Sequence, residues 1–285
     1  MILEEKERNT DRGWDMLYQR LERDGLLPVE DAGKDSKRSF YAWRWAAVVA
    51  VLLMGAVSLY LWQDTNQTDT TDKLVLSNGV GEPTLVTTLE DGSTIYLSEE
   101  TSIEYPTQFA ENKREITLQG DAFFEITGNR ERPFIIQTST AIVEVLGTSF
   151  NVVSKNNETF SLSVKSGVVK VTSKSNKKSV EVRAGETALF DSSSNILKRI
   201  QTVDTARFSA YLHHLHFKDQ QLDKIIRIMN ERTRQLPIEV APELAARKLT
   251  VTFSNESPQN IAQLICLALN LKYKESNDQI YITAH

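Results

Sequence analysis

Hydrophobic and polar positions change rhythm three times along this chain. Near its start Trp14, Leu17, Tyr18 and Leu21 fall at i, i+3, i+4 and i+7, the spacing of one apolar stripe on an amphipathic helix. Thr10 or Asp11 can cap the start of that helix, and Gly25 with Pro28 supplies its stop. The surrounding positions are charged (Asp15, Arg20, Glu22, Arg23, Asp24). A short helix with a single apolar face is marginal in water. Such a stripe suits a partner's groove, which reads anchors at this spacing. The alternatives are packing on Ile2 and Leu3 or lying on a membrane surface. Residues 29–39 are polar and read as a leash.

The second rhythm is an unbroken apolar run. After Arg44 no charge appears until Asp64, and Trp45–Trp62 supplies 18 residues. At about 1.5 Å per residue that run spans roughly 27 Å, close to the hydrocarbon thickness of a bilayer. Phe40, Tyr41, Trp43 and Trp45 cluster at one end, with Tyr60 and Trp62 at the other, as two membrane interfaces select. Lys34, Lys37, Arg38 and Arg44 flank the N-terminal side, and Asp64, Asp69 and Asp72 the C-terminal side. The positive-inside rule then puts residues 1–43 in the cytoplasm and the remainder outside. A cleaved signal peptide would begin earlier and carry a shorter apolar stretch. A buried soluble helix would carry more polar residues than Ser58 alone. The expectation is a single-pass inner-membrane protein, with a transmembrane helix over residues 44–62 and a spacer over 63–72.

From there on, apolar and polar residues alternate in short runs. Thr84–Leu89, Thr94–Leu97, Glu115–Leu118, Ala122–Ile126, Phe134–Thr138, Ile142–Leu146, Phe150–Val153, Phe160–Val164, Val168–Thr172, Val180–Val182 and Thr187–Phe190 all read as strands. Asp91-Gly92, Gln119-Gly120, Gly128-Asn129, Gly147, Ser166-Gly167 and Ala184-Gly185 separate them. Short strands at this spacing, with no helical stripe between them, predict an all-β sandwich, roll or solenoid over residues 73–200.

Beyond Gln201 helical stripes return. Leu222, Ile225, Ile226 and Met229 form one, and Ile261, Leu264, Ile265 and Ala268 form another behind Ser257-Pro258, a cap with proline at the first helical position. Strand-like runs Pro237–Val240, Leu249–Phe253, Leu271–Tyr273 and Gln279–Thr283 accompany them, so residues 208–285 read as a small α+β domain of two strand–helix–strand halves.

Composition narrows this picture only slightly. The net charge is −5, with both signs scattered, unlike the basic face a nucleic-acid partner selects. Cys266 is the one cysteine, so no intramolecular disulfide or two-cysteine motif is available.

Four ordered blocks carry a resemblance. They are Leu89-Glu90-Asp91-Gly92-Ser93-Thr94-Ile95-Tyr96-Leu97 with Ser102-Ile103-Glu104-Tyr105-Pro106; Arg114-Glu115-Ile116-Thr117-Leu118-Gln119-Gly120-Asp121-Ala122-Phe123-Phe124-Glu125-Ile126; Arg132-Pro133-Phe134; and Val145-Leu146-Gly147-Thr148-Ser149-Phe150-Asn151-Val152. The chain resembles the FecR family of transmembrane anti-sigma regulators. Ser98 and Glu100 stand where the family more usually has Asn and Gly, and Asp121 where it has Glu. The C-terminal repeat is similar to the small domain that follows FecR modules in Bacteroidetes-type members, itself like secretin and TonB short N-terminal (STN) domains. The head from Trp14 to Leu21 looks like that group's anti-sigma segment.

The resemblance implies a mainly β fold with α+β: a transmembrane helix, a periplasmic all-β FecR domain (solenoid- or roll-like), then an STN-like α+β domain. It also implies a relay. The signalling domain of an outer-membrane TonB-dependent receptor would act on the periplasmic tail. The cytoplasmic head would then change its hold on an extracytoplasmic-function (ECF) sigma factor through Trp14, Leu17, Tyr18 and Leu21, and so control transcription. An exposed strand edge of the C-terminal domain could receive the receptor by strand addition. The rival reading is a membrane-anchored envelope protein, structural or binding glycan or protein, with no sigma partner.

Candidate chemistry is sparse, and no cofactor is expected. His213, His214 and His216 form the histidine cluster, but no carboxylate or cysteine stands nearby at ligand spacing, so a solvent-facing strand is expected and no metal. Lys174, Lys177 and Lys178 lie in a Ser/Asn-rich turn and read as solvated. The protein is not expected to be an enzyme. Some FecR-type regulators are thought to cut themselves at a Gly-Thr bond, which makes Gly147 and Thr148 autocleavage candidates. The Thr148 hydroxyl would attack the Gly147 carbonyl in an N-to-O acyl shift. The alternative is that Gly147 makes a tight turn between strands.

Overall fold

Twelve residues from Arg114 to Glu125 form one continuous strand that belongs to two sheets. With strands numbered in chain order, the first sheet runs β1 (Lys73–Asn78), β4 (Thr101–Pro106), β5 (Arg114–Glu125), β6 (Phe134–Gln137), β7 (Ala141–Val145), β10 (Val168–Ser173) and β11 (Ser179–Arg183). The second runs β13 (Ile196–Ile200), β12 (Thr187–Asp191), β9 (Thr159–Ser166), β8 (Ser149–Ser154), β5 again, β3 (Thr94–Leu97) and β2 (Thr84–Thr88). The pairing is antiparallel throughout except between β5 and β6, which gives a roll of two joined sheets.

Gly120 is the crossing point. It lies at φ +117°, and a Cβ there would stand 2.5 Å from Thr101 Oγ1 and 2.7 Å from Thr101 Cα. The sequence suggested a break at Gln119-Gly120. The ladder instead continues through it, because the first half of β5 pairs with β4 and β6 while the second half pairs with β3 and β8.

The computed structural model describes residues 14–25, 52–55, 58, 72–155, 159–191, 196–201, 205–233 and 236–285. The chain divides into two units, Met1–Thr68 and Asp69–His285. In the first, residues 14–23 are helical, as the stripe predicts, and residues 52–55 and 58 are helical too. Most of the expected span at 44–62, the leash and most of the spacer lie outside the described residues. Among the described residues no helix is long and apolar enough to cross a membrane.

Alternation decides what each strand buries. Ile95, Leu97, Ile103, Ile116, Leu118, Ala122, Phe124, Phe134, Phe150, Leu162 and Val164 fill the core between the two sheets. The Phe124 and Phe150 rings stack there with centroids 5.3 Å apart. Each of these side chains larger than Ala122 contributes roughly 1.5–3 kcal/mol through removal from water.

The C-terminal module follows the predicted halves. β14 (His214–Gln221) leads to the Leu222–Thr233 helix and β15 (Ile238–Val240). β16 (Lys248–Ser254) leads to the Pro258–Leu269 helix and β17 (Lys272–Glu275), and β18 (Ile280–Thr283) closes the chain. The second helix is capped as its sequence suggests. Ser257 accepts a hydrogen bond from the Asn260 amide, Pro258 opens the first turn, and Asn270 ends the helix in the left-handed region at φ 52°. Leu222, Ile225, Ile226, Ile228 and Met229 of one helix, with Ile261, Ala262, Ile265 and Cys266 of the other, enter a second core.

Candidate functional site

Sheet order and burial together single out the place where the two modules meet. β14 pairs in parallel with β2, Leu215 opposite Thr84, His216 opposite Leu85 and Phe217 opposite Val86. The β14–β16 pair therefore extends the second sheet past β2. All four residues of β3 are buried, because both faces of that strand are covered. Ile95 and Leu97 face the first core, whereas Tyr96 joins Val86 and Phe123 in the second.

A segment that pattern reading overlooked carries this junction. The Thr205–Ala210 helix puts Phe208 against Phe123, centroids 5.6 Å apart, and Tyr211 stacks on the same ring at 5.8 Å. The Tyr211 hydroxyl donates to Asp121 Oδ1 and accepts from Asn151 Nδ2 at 3.2 Å. The i, i+3, i+4 spacing of Phe208, Tyr211 and Leu212 is the signal that could have revealed it. Likewise, the unbroken apolar triplets Ile95-Tyr96-Leu97 and Ala122-Phe123-Phe124 mark strands buried on both faces.

Beside that junction lies a polar pocket of about 360 Å³ lined by Tyr96, Glu125, Lys165, Leu212, Glu231 and Arg232. The Tyr96 hydroxyl donates to Glu125 Oε2 at 2.9 Å. Burial, then the Glu125 carboxylate, holds that phenol well above the ordinary tyrosine range, so it stays protonated. Burial also lowers the Arg232 guanidinium from its ordinary value, and Arg232 donates to the Leu212 carbonyl.

The Gly147-Thr148 corner sits between β7 and β8. A Cβ on Gly147 would stand 2.6 Å from Gly128 Cα, so close backbone approach requires glycine here, without a positive φ. On the other side, a Cβ on Gly167 would meet Thr148 Cγ2 at 2.5 Å and the Gly147 carbonyl oxygen at 3.2 Å. The Thr148 carbonyl accepts from the Ile126 amide at 3.0 Å, while the Thr148 hydroxyl is buried with no hydrogen-bond partner among the described residues.

The remaining candidates fall elsewhere. Trp14, Leu17 and Tyr18 of the first unit are 58%, 47% and 60% exposed, and Leu21 is half-buried. His214 and His216 share one face of β14, and their Nδ1 atoms lie 2.9 Å from Ser254 Oγ and Thr252 Oγ1 of β16. His213 Nδ1 lies 3.0 Å from Asn255 Nδ2. Lys174 is less free than its turn suggests, since its ammonium donates to the Thr138 carbonyl at 2.6 Å.

Among solved structures, the chain is similar to two crystal structures, at 1.65 and 2.50 Å, of a candidate anti-sigma factor from Parabacteroides distasonis. Both are 24% identical with a TM-score of 0.46; the matches cover 74% and 75% of this chain and 99% and 100% of theirs. No curated protein matches the chain significantly. The FecR protein model matches residues 84–170 and the FecR C-terminal model residues 214–282, together more than half the sequence. The first takes in the Asp91, Asp121 and Gly147-Thr148 blocks and the second the β14-to-β18 module, so the chain belongs to the FecR family.

Proposed function

We propose that this protein is a single-pass inner-membrane anti-sigma regulator that relays a periplasmic signal to a sigma factor. The observation that carries the reading is the apolar stripe on helix 14–23. In a chain of this regulatory, non-enzymatic family, three of its four anchors stand open to solvent. Exposed aromatic and aliphatic anchors at helical spacing fit a partner's groove. In the finer form of the proposal the partner is an ECF sigma factor, met in the cytoplasm. The signalling domain of an outer-membrane TonB-dependent receptor engages the C-terminal module from the periplasm. β17 supports that second contact, because it ends its three-stranded sheet and all four of its residues are exposed.

Co-purification of the full chain with ECF sigma factors expressed in the same cell tests the reading. The Trp14→Ala, Leu17→Ala double variant should recover at least tenfold less sigma factor, given about 2 kcal/mol for a well-packed anchor. Equal recovery by both proteins, or none by either, would overturn it.

We propose, as a second step on the same path, self-cleavage at Gly147-Thr148. The support is the hydroxyl of Thr148, the residue after Gly147, which is buried and has no hydrogen-bond partner among the described residues. Its oxygen would attack that carbonyl carbon, the Thr148 nitrogen would leave as the amine, and water would hydrolyse the resulting ester. Two fragments from the wild type on an immunoblot are expected; a single intact band counts against the step.

A further inference from the structure

We propose that the C-terminal module is a cis-bound cover on the outer face of the second sheet, and that the Tyr211 hydroxyl is the latch through which a load on the module reaches β5 and β8. The proposal stands apart from the sigma-factor reading, since it concerns coupling inside the Asp69–His285 unit whatever applies the load.

Three observations converge on it. First, β2 without β14 would be an open edge, with β3 as its single partner. Open edges invite strand addition, and this one is filled by the chain itself over three residue pairs. A three-pair parallel seam is weak alone, because parallel pairs are slightly less stable per residue than antiparallel ones. Second, the module's core is incomplete without the roll. Val86, Tyr96 and Phe123 are 2%, 1% and 0% exposed, and they pack with Leu215, Phe217 and the two helices. Removing the module would expose two large aromatic rings on the sheet and open the helices' core. Third, the one hydroxyl of Tyr211 touches two strands of the roll together, Asp121 on β5 and Asn151 on β8. Those residues flank Phe123 in the ladder, where Phe123 lies opposite Asn151.

A latch of this kind makes two modules share one opening equilibrium. Coupling between sites is reciprocal, so whatever loosens the module must loosen the residues it covers. Ser149, which pairs with Glu125 at the end of the β5–β8 ladder, directly follows Thr148, and the Ile126 amide donates to the Thr148 carbonyl. A partner that pulls on the module thus acts on the corner that holds the Gly147-Thr148 bond.

Hydrogen exchange on the full chain in detergent tests the coupling, with wild type, Tyr211→Phe and Phe208→Leu compared. Tyr211→Phe removes one hydroxyl and keeps the ring stack. It should speed exchange roughly tenfold in 121–125, 149–154 and 214–217 together, leaving β10 and β11 unchanged. Phe208→Leu, which alters no hydrogen bond of the latch, is the control: it should loosen 205–217 while 149–154 keeps its wild-type protection. In Tyr211→Phe, faster exchange confined to 205–217, no change in any segment, or a uniform rise that includes β10 and β11 would each overturn the latch, as would faster exchange of 149–154 in Phe208→Leu.

Discussion

The Arg114 guanidinium meets the Asp91 carboxylate at 2.6 Å, with the two side chains 1% and 11% exposed. Around this pair Arg114 also donates to the Thr127 and Arg132 carbonyls, both at 2.9 Å, and lies 5.4 Å from the Phe134 ring centroid. Asp91 in turn accepts from the Ser93 amide at 3.0 Å and the Ser93 hydroxyl at 2.7 Å. One cation therefore ties the Asp91-Gly92 turn, the end of β5 and the Arg132-Pro133-Phe134 segment together. Breaking a buried pair leaves an uncompensated charge, at a cost of about 3–5 kcal/mol. Arg114→Met and Asp91→Asn should each destabilise the protein by that order in urea unfolding. Arg114→Lys should recover little, because an ammonium cannot reproduce the planar fork. A loss below ~1 kcal/mol for Arg114→Met would show that the pair is dispensable.

Glu100 offers a gain in place of a loss. It sits at φ 55°, in the left-handed region, where the family more usually has glycine. An L side chain there costs roughly 1–2 kcal/mol, and glycine gives back part of that through its freer unfolded chain. Glu100→Gly should therefore stabilise the roll by about 0.5–1 kcal/mol, read as a higher denaturation midpoint with an unchanged slope. An unchanged or lower midpoint would mean that the Glu100 side chain makes a compensating contribution.

These two cases show what the sequence made legible. The blocks around Asp91, Arg114 and Arg132 stand apart along the chain, yet they meet at one buried cation, so a local motif reported a tertiary contact. Strand positions were legible where burial of one face imposes period two, as along β6 and β7, although β4, whose Thr101 and Ile103 are buried in the same alternation, was not read as a strand. β13 was missed because its five residues are mostly exposed and carry no alternation. The parallel seam between β2 and β14 was illegible for another reason. It joins residues about 130 positions apart, and backbone pairing leaves no side-chain signature of its partner. Alternation places His214 and His216 on one face of a strand, as found, whereas His213 precedes β14, and the hydroxyl neighbours on β16 depend on register, which period alone does not fix.

Glu115 gives the fold a pH dependence of defined sign. Burial pushes its carboxyl up, but hydrogen bonds from Lys113 at 2.5 Å and Gln137 at 2.9 Å outweigh that and bring it below the ordinary value of 4.5. A carboxylate depressed on folding contributes stability above its unfolded pKa, and that stability is lost as pH falls through the folded value. The expected behaviour is a small loss confined to pH below about 4.5, in the side-chain titration of Glu115 followed by NMR. Gln137→Ala should move that titration upward. A midpoint at or above the free-glutamate value in the wild type would contradict the assignment.

Thr148 separates folding from chemistry more cleanly than any other position. Its hydroxyl is buried without a partner among the described residues, and an unmade hydrogen bond of that kind costs about 1–3 kcal/mol. Its Cγ2 fills the space that Gly167 leaves open, so the methyl group is used even though the hydroxyl is not. Thr148→Val keeps the branched shape, removes the unsatisfied oxygen and deletes the proposed nucleophile in one change. It should be as stable as the wild type or more so, by up to ~1 kcal/mol, whereas Thr148→Ala should be less stable because it also loses the methyl packing. If the Gly147-Thr148 bond breaks through this hydroxyl, Thr148→Val yields one intact and fully folded chain. Fragments persisting in that variant would assign the cut to another protease, and a clear loss of stability would show that the hydroxyl has a partner in the folded protein after all.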